Sequence, residues 1–148
     1  MITTMQCLVL GAAGQIGAVI GVPELPKVAM LESSAGIRLV ATNGEYFGVA
    51  HMGIDTAIEV IKRHPKMWDG EITRGGILER LIFDTKWALK MAALRIVDLR
   101  KDGFPIGAYT SGKTGWLKGK GREYKKLLTS TENTIASCSQ DNKKRGDI

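Results

Sequence analysis

The sequence has little cysteine, no long apolar run and no basic amino-terminal segment. Two cysteines, Cys7 and Cys138, form neither a disulfide framework nor a zinc-site spacing, so a reduced compartment is the default expectation. No apolar run reaches the ~18 residues of a transmembrane helix. The start, MITTMQCLVLG, also lacks the basic region of a signal peptide. These absences predict a cytoplasmic protein without a membrane segment.

Length and composition predict one domain with a single core. The chain has 148 residues, of which 44% are hydrophobic, enough for one soluble domain. From Thr129 onward the sequence is polar, which predicts a domain over residues 1–128 and a disordered basic tail over 129–148. The net charge is +6, with lysines and arginines concentrated between Lys113 and Lys126. That segment fits either a nucleic-acid surface or a solvated face.

A hairpin is predicted around Asn43-Gly44. Two β-prone runs, Ile37–Thr42 and Glu45–Met52, flank this dipeptide. Asn-Gly favours a type I′ turn, which needs positive φ at both central residues. His51 then lies in a strand, and we interpret it as a structural histidine.

The remaining pattern alternates strands and helices in blocks. Gly17 and Gly21 favour a strand over a helix, because glycine costs roughly 1 kcal/mol in a helix interior, and this makes Thr3–Val22 a hairpin. Alternating polarity predicts a second hairpin, and apolar spacing predicts three helices. These segments are Ala93–Leu99 with Phe104–Tyr109, and then Asp55–Arg63, Ile77–Met91 and Gly119–Leu128. The predicted fold class is therefore α+β with antiparallel sheets.

Two glycine motifs suggest nucleotide sites but lack the surrounding structure. Gly11–Gly17 matches a dinucleotide fingerprint, with Glu32 where a ribose-binding acid should lie. Gly107–Thr114 matches the P-loop pattern. Pro23 stops the segment after the first motif, and a glycine-rich stretch follows the second. We interpret both as turns or loops and predict no cofactor and no metal.

The order of elements resembles the Ntn-hydrolase fold of proteasome β subunits and the heat-shock-locus protease, including small phage-encoded relatives. Thr3-Thr4 before a strand resembles the start of those enzymes, and Lys27 resembles their active-site lysine. Tyr46–Gly53 resembles the strand-to-helix entry, and Gly119–Tyr124 resembles the start of a later helix. The match extends over roughly Thr3 to Leu128.

This resemblance implies an αββα sandwich and a threonine peptidase. Thr3 or Thr4 would be the nucleophile, with its own α-amine as base. Lys27 would favour the deprotonated nucleophile, and Gly53 would lie near the oxyanion loop. A homo-oligomeric ring acting on a peptide or protein substrate is then expected.

The sequence leaves three hypotheses open. Ala18–Val22 lacks the family's acidic residue, and Met1-Ile2 precede Thr3, so catalysis would require a special cleavage. Either the fold is retained without catalysis, or the first hairpin aligns differently with the family. A non-enzymatic α+β module could instead bind nucleic acid or protein through Lys113–Lys126. The third hypothesis is nucleotide or dinucleotide binding at the glycine motifs.

Overall fold

Helices dominate the chain, which the computed structural model describes over residues 2–144. The helical share is 66% against 2% strand, and residues 2–144 contain no sheet. The predicted α+β class is therefore wrong, and so is the Ntn-hydrolase sandwich. In chain order the α-helices are α1 Thr4–Ile20, α2 Leu25–Ser33, α3 Ile54–Arg63, α4 Arg74–Phe83, α5 Thr85–Lys101, α6 Gly107–Leu117, α7 Tyr124–Thr129 and α8 Glu132–Lys144.

Helix α1 occupies the segment predicted to be the first hairpin. Thr3 and Gln6 form a capping box, in which each side chain accepts a hydrogen bond from the other residue's backbone N–H. Gly21 ends the helix in the left-handed region with φ of 96°. A Cβ on Gly17 would lie 2.3 Å from the Val22 carbonyl oxygen. These glycines thus mark a close approach and a helix end, not a strand.

The Asn43-Gly44 segment reverses the chain without forming a hairpin of two strands. Only isolated bridges join Val40 to Phe47 and Phe47 to Met52. Gly44 has φ of 72°, but Asn43 is not among the described non-glycine residues with positive φ. The predicted type I′ turn is therefore wrong, because it needs positive φ at both positions.

The second predicted hairpin is wrong, since its first strand lies in α5 and its return strand Phe104–Tyr109 extends from a loop into the start of α6. Asp84 caps α5 by accepting from the Trp87 backbone N–H at 3.0 Å, which divides the predicted helix Ile77–Met91 into α4 and α5. Its polar residues Arg95 and Asp98 are buried. The alternation in this segment was misleading, because it does not separate a buried face from an exposed one.

The core lies around α5, and helices α1 to α4 and α6 pack against it. The helix predicted over Asp55–Arg63 is confirmed as α3. The P-loop pattern lies within α6, where Gly112 forms a kink with φ of 72°, so the loop predicted there is wrong. No helix in residues 2–144 is both long and apolar enough to cross a membrane.

The carboxyl-terminal segment folds back onto α1 and α2. The predicted disordered tail is helical over Glu132–Lys144, and residues 145–148 lie outside the described part of the chain. Cys7 and Cys138 form a disulfide with their Cα atoms 5.5 Å apart. The cysteine spacing does not predict this bond, because residues 131 positions apart meet only through tertiary packing.

The glycines of α1 should respond oppositely to alanine substitution. Gly11→Ala should stabilise the protein by about 0.5–1 kcal/mol, because the site is exposed and no atom lies within 4 Å of the added Cβ. Gly17→Ala should destabilise it by about 1–3 kcal/mol through the clash with Val22. Urea unfolding followed by circular dichroism measures both. Equal effects would contradict the packing described for Gly17.

The disulfide should contribute measurably to stability. Replacing Cys7 and Cys138 together by serine should lower the free energy of unfolding by about 2–4 kcal/mol, because the bond restricts the unfolded chain. Thermal unfolding with and without a reducing agent measures the effect. Reduction should destabilise the unsubstituted protein and leave the double variant unchanged; insensitivity of both to reduction would show that the bond does not form.

Candidate functional site

Glu32 lies near the carboxyl end of α2, where the backbone turns sharply. Ser34 and Ala35 have φ of 54° and 53°, an uncommon conformation for residues with a side chain. The buried Ser33 hydroxyl accepts from the Gly36 N–H at 2.8 Å, and Gln6 of α1 donates to the Ser34 carbonyl at 3.0 Å. This turn is therefore held from both sides, and it fixes the position of Glu32.

Glu32 borders a cavity of about 600 Å³. This volume falls within the range of about 300–1,000 Å³ that is typical of small-molecule sites. The loop between α6 and α7 and the start of α7 form much of its wall. The lining residues include Leu31, Thr110, Arg122, Glu123, Tyr124 and Leu127.

The two carboxyl oxygens of Glu32 face different partners. Tyr124 donates its hydroxyl to Oε1 at 2.9 Å, and His51 Nδ1 lies 3.7 Å from Oε2. The Glu32 side chain is only 18% exposed. Burial raises the pKa of Glu32, while the Tyr124 hydrogen bond and the nearby Arg38 charge partly offset this. The protonated form of Glu32 is therefore favoured more at the cavity wall than it would be in water.

A buried tyrosine, Tyr124, and a partly buried one, Tyr109, lie next to each other beside Glu32. Tyr109 donates its hydroxyl to the Ala50 carbonyl at 2.7 Å, and its ring centroid lies 6.4 Å from that of Tyr124. Burial raises the pKa of both phenols, and the neighbouring Glu32 charge adds to this. Both hydroxyls therefore stay protonated and act as neutral hydrogen-bond donors.

His51 lies in a turn with a strained backbone. Its φ is 47°, which is uncommon for histidine and is maintained by the surrounding structure. The His51 backbone N–H donates to the Gly48 carbonyl at 3.1 Å. Gly48 itself packs closely on Leu81, since a Cβ added to Gly48 would lie 2.3 Å from the Leu81 carbonyl oxygen. Burial lowers the pKa of His51. Burial thus favours the neutral imidazole, and its Nδ1 atom faces the Glu32 carboxyl.

The structure gives the predicted threonine-peptidase residues separate partners. Thr3 caps α1 through Gln6, and Thr4 begins that helix. Lys27 lies on α2 and pairs with Glu132 at 2.9 Å. Gly53 precedes α3, and a Cβ there would contact the Tyr46 ring. Thr3 and Lys27 therefore have different side-chain partners, Gln6 and Glu132.

The residues that do converge were assigned other roles from the sequence. The sequence suggests a ribose-binding acid for Glu32 and a structural role for His51, and it places Tyr109 in a return strand and Tyr124 at a helix start. One signal was present, since Glu32 is the only charged residue in the run Val28–Ser34. Alone it does not distinguish a buried carboxyl from a helix-surface one.

The other predicted sites are absorbed into the helical fold. Gly11–Gly17 lies inside α1, so it forms no phosphate-binding turn. In the basic segment, Lys113 pairs with Asp102 at 2.7 Å, and the Arg122 guanidinium lies 4.6 Å from the Trp116 ring centroid. Within residues 2–138, the part of the chain whose side chains are described, no group of three or more His, Cys, Asp or Glu side chains could hold a metal ion.

Comparison of the chain with protein-family models, with curated proteins and with solved structures found no match. These comparisons neither support nor refute a relationship to the Ntn hydrolases.

Replacing Glu32 should make the stability of the protein less dependent on pH. A buried carboxyl with a raised pKa stabilises the fold below its usual value of 4.5, and this contribution is lost as pH rises through the raised value. Glu32→Gln has no such loss, so its melting temperature relative to the unsubstituted protein should be higher at pH 7 than at pH 4. Scanning calorimetry measures this, with exposed Glu79→Gln as control. A pH-independent difference would contradict the burial described here.

Proposed function

We propose that the protein cleaves glycosidic bonds in a polysaccharide, with the Glu32 carboxyl as the general acid. The observation that supports this is a largely buried carboxyl with a raised pKa at the wall of a cavity. Perturbed acids in clefts are candidates for catalysis. Glycosidases use such a carboxylic acid to protonate the leaving oxygen, as lysozyme does with a glutamic acid in an apolar pocket.

The proposed step balances with groups at the cavity. The Glu32 proton passes to the glycosidic oxygen as the bond between that oxygen and the anomeric carbon breaks. Water or a hydroxyl of the substrate then captures the electron-deficient carbon, and its proton returns to Glu32. Tyr124, which donates to Oε1, leaves Oε2 as the proton-carrying oxygen. Glu123 also lines the cavity and is exposed, so it is the candidate second carboxylate.

The charge around the cavity favours an anionic polymer. Arg122 lines the cavity, and Arg38 lies close enough to influence the Glu32 charge. The whole chain carries a net charge of +6. Positive charge near a cleft raises the local concentration of anionic substrates. A glycan that carries carboxylates is therefore the expected substrate class.

Cleavage can be tested on a panel of three polymers: bacterial cell-wall glycan, a uronic-acid polymer and neutral chitin. We expect soluble fragments from one or both anionic polymers, and less from chitin. Glu32→Gln should reduce the rate by about 10²–10⁴-fold, the range for loss of a general acid. The rate is measured from fragment release, and mass spectrometry shows whether water or a substrate hydroxyl captured the anomeric carbon.

Glu79→Gln is the matched control, because this exposed carboxylate lies on α4 outside the cavity lining. It should cleave like the unsubstituted protein. Full activity of Glu32→Gln, or no fragments from any of the three polymers, would contradict the proposed function.

Other activities stay predictions. Threonine peptidase activity, assembly of copies, binding of a peptide, protein or nucleic acid, and a cytoplasmic location are not tested by these observations. The peptidase hypothesis was argued from a fold that is wrong, so we do not propose it further. The nucleic-acid hypothesis can be checked by binding at low salt, where contacts to phosphates are strongest.

A further inference from the structure

The hydrogen bond between His51 and the Arg38 carbonyl fixes the imidazole tautomer. A carbonyl oxygen only accepts, so the Nε2 atom that contacts it must carry the hydrogen. In the neutral ring, Nδ1 is then an acceptor with a free lone pair. That nitrogen is the one that faces Glu32, 3.7 Å from Oε2.

The Glu32 proton is placed by a similar argument. Oε1 already accepts the Tyr124 hydroxyl at 2.9 Å, so in the neutral acid the proton lies on Oε2. A hydrogen donor therefore faces a hydrogen acceptor across a gap about 1 Å longer than a hydrogen bond of ~2.8 Å. The His51 side chain is only 10% exposed, so the two groups meet in a partly dehydrated space.

We propose that His51 is a positioning residue for Glu32, and that the two side chains hold one proton between Glu32 Oε2 and His51 Nδ1. This inference rests on the proposed function, to which it adds a residue that sets the protonation of the acid. When the leaving oxygen has taken the Glu32 proton, the Glu32 carboxylate receives the proton released by the attacking water or hydroxyl. His51 Nδ1, 3.7 Å from Oε2, then keeps that proton at Oε2. No oxidant or other reactant is required.

The turn that carries His51 is built to hold the ring in place. Phe47 and Met52 exchange backbone hydrogen bonds of 3.0 and 2.9 Å on either side of it. The Ala50 carbonyl accepts the Tyr109 hydroxyl. An uncommon backbone conformation fixed at several points is typical of functional positions.

Few other charged or titratable groups influence this pair. Arg38 contributes positive charge from the loop that precedes His51. Tyr124 of α7 and Tyr109 of α6 interact with Glu32, and burial keeps both phenols protonated. The buried Arg95 of α5 interacts with Tyr109 and pairs with Glu59. Coupled titration of two groups is therefore the expected behaviour, with Arg38 as the main fixed charge.

An NMR titration of the full chain tests the shared proton without any substrate. The protein is labelled with ¹⁵N in histidine and ¹³C in glutamate carboxyls. Neutral His51 should carry its hydrogen on Nε2, and the His51 nitrogens and the Glu32 carboxyl should report the same two titration steps. In the Glu32→Gln variant, His51 should titrate in one step. In the His51→Asn variant, Glu32 should likewise titrate in one step.

The variants are chosen so that the fold is retained. Asparagine adopts positive φ more readily than most residues, which suits the φ of 47° at this position. His51→Gln is the second variant, and it provides the same test if His51→Asn loses its helical circular dichroism. His64, the other histidine, contacts the Asp98 carboxylate at 3.0 Å, and its ring signals serve as the internal control.

Two NMR results would overturn the proposal. One is a neutral His51 that carries its hydrogen on Nδ1. The other is a single titration step for each group that does not change when its neighbour is replaced. Two shared steps together with an Nε2–H tautomer support it.

Activity measurements separate this inference from the proposed function. On a glycan that the protein cleaves, His51→Asn should move the alkaline limb of kcat/KM to lower pH, because the shared proton is lost more easily without its second acceptor. An unchanged limb would contradict the positioning role. Two shared titration steps in a protein that cleaves no glycan would support the shared proton and contradict only the glycosidase proposal.

Discussion

Burial of helix α5 on nearly every side is the constraint on which the fold depends. Its buried residues occupy all faces of the helix and include the large side chains Trp87, Leu89, Met91, Ile96 and Leu99. A helix that is buried on nearly every side must be covered by several neighbours, and five other helices pack against α5. Helix α5 buries two charged side chains, and each has a partner. Arg95 pairs with Glu59 of α3, and Asp98 pairs with His64, which directly follows α3. Breaking either pair would leave an uncompensated charge in the core.

The site is a product of this arrangement. Helix α2 brings Glu32 to the cavity, and the turn with His51 reaches the same point because Gly48 fits against Leu81 of α4. Tyr109 lies on α6, and Tyr124 is the first residue of α7. Four segments that are distant along the chain thus contribute one side chain each to a single partly dehydrated space. Such a space stabilises the neutral form of a carboxyl, which is the form that donates a proton.

Local sequence patterns predicted only part of this fold. Helix α3 was predictable because Ile54, Ile58 and Ile61 repeat at helical spacing and Pro65 follows. Helix α1 was missed because its glycines were counted as helix breakers, whereas Gly17 serves a close contact and Gly21 a helix end. In α5, the polar residues Arg95 and Asp98 produce the alternation that is typical of a strand with one exposed face. They are buried instead, because each pairs with a residue that is distant along the chain. The site could not be predicted either, because the pairing of Glu32 with Tyr124 joins residues 92 positions apart.

The disulfide also determines how the molecule would bear a mechanical load. A force applied to the two chain ends passes through the bond between Cys7 and Cys138, since this covalent path is shorter than the chain between them. The intervening loop contains the core, the cavity and both partners of the shared proton, and it carries none of that force. Pulling therefore extends only the short segments outside the bond. In a single-molecule experiment the oxidised protein would lengthen little, and the loop would extend only after reduction.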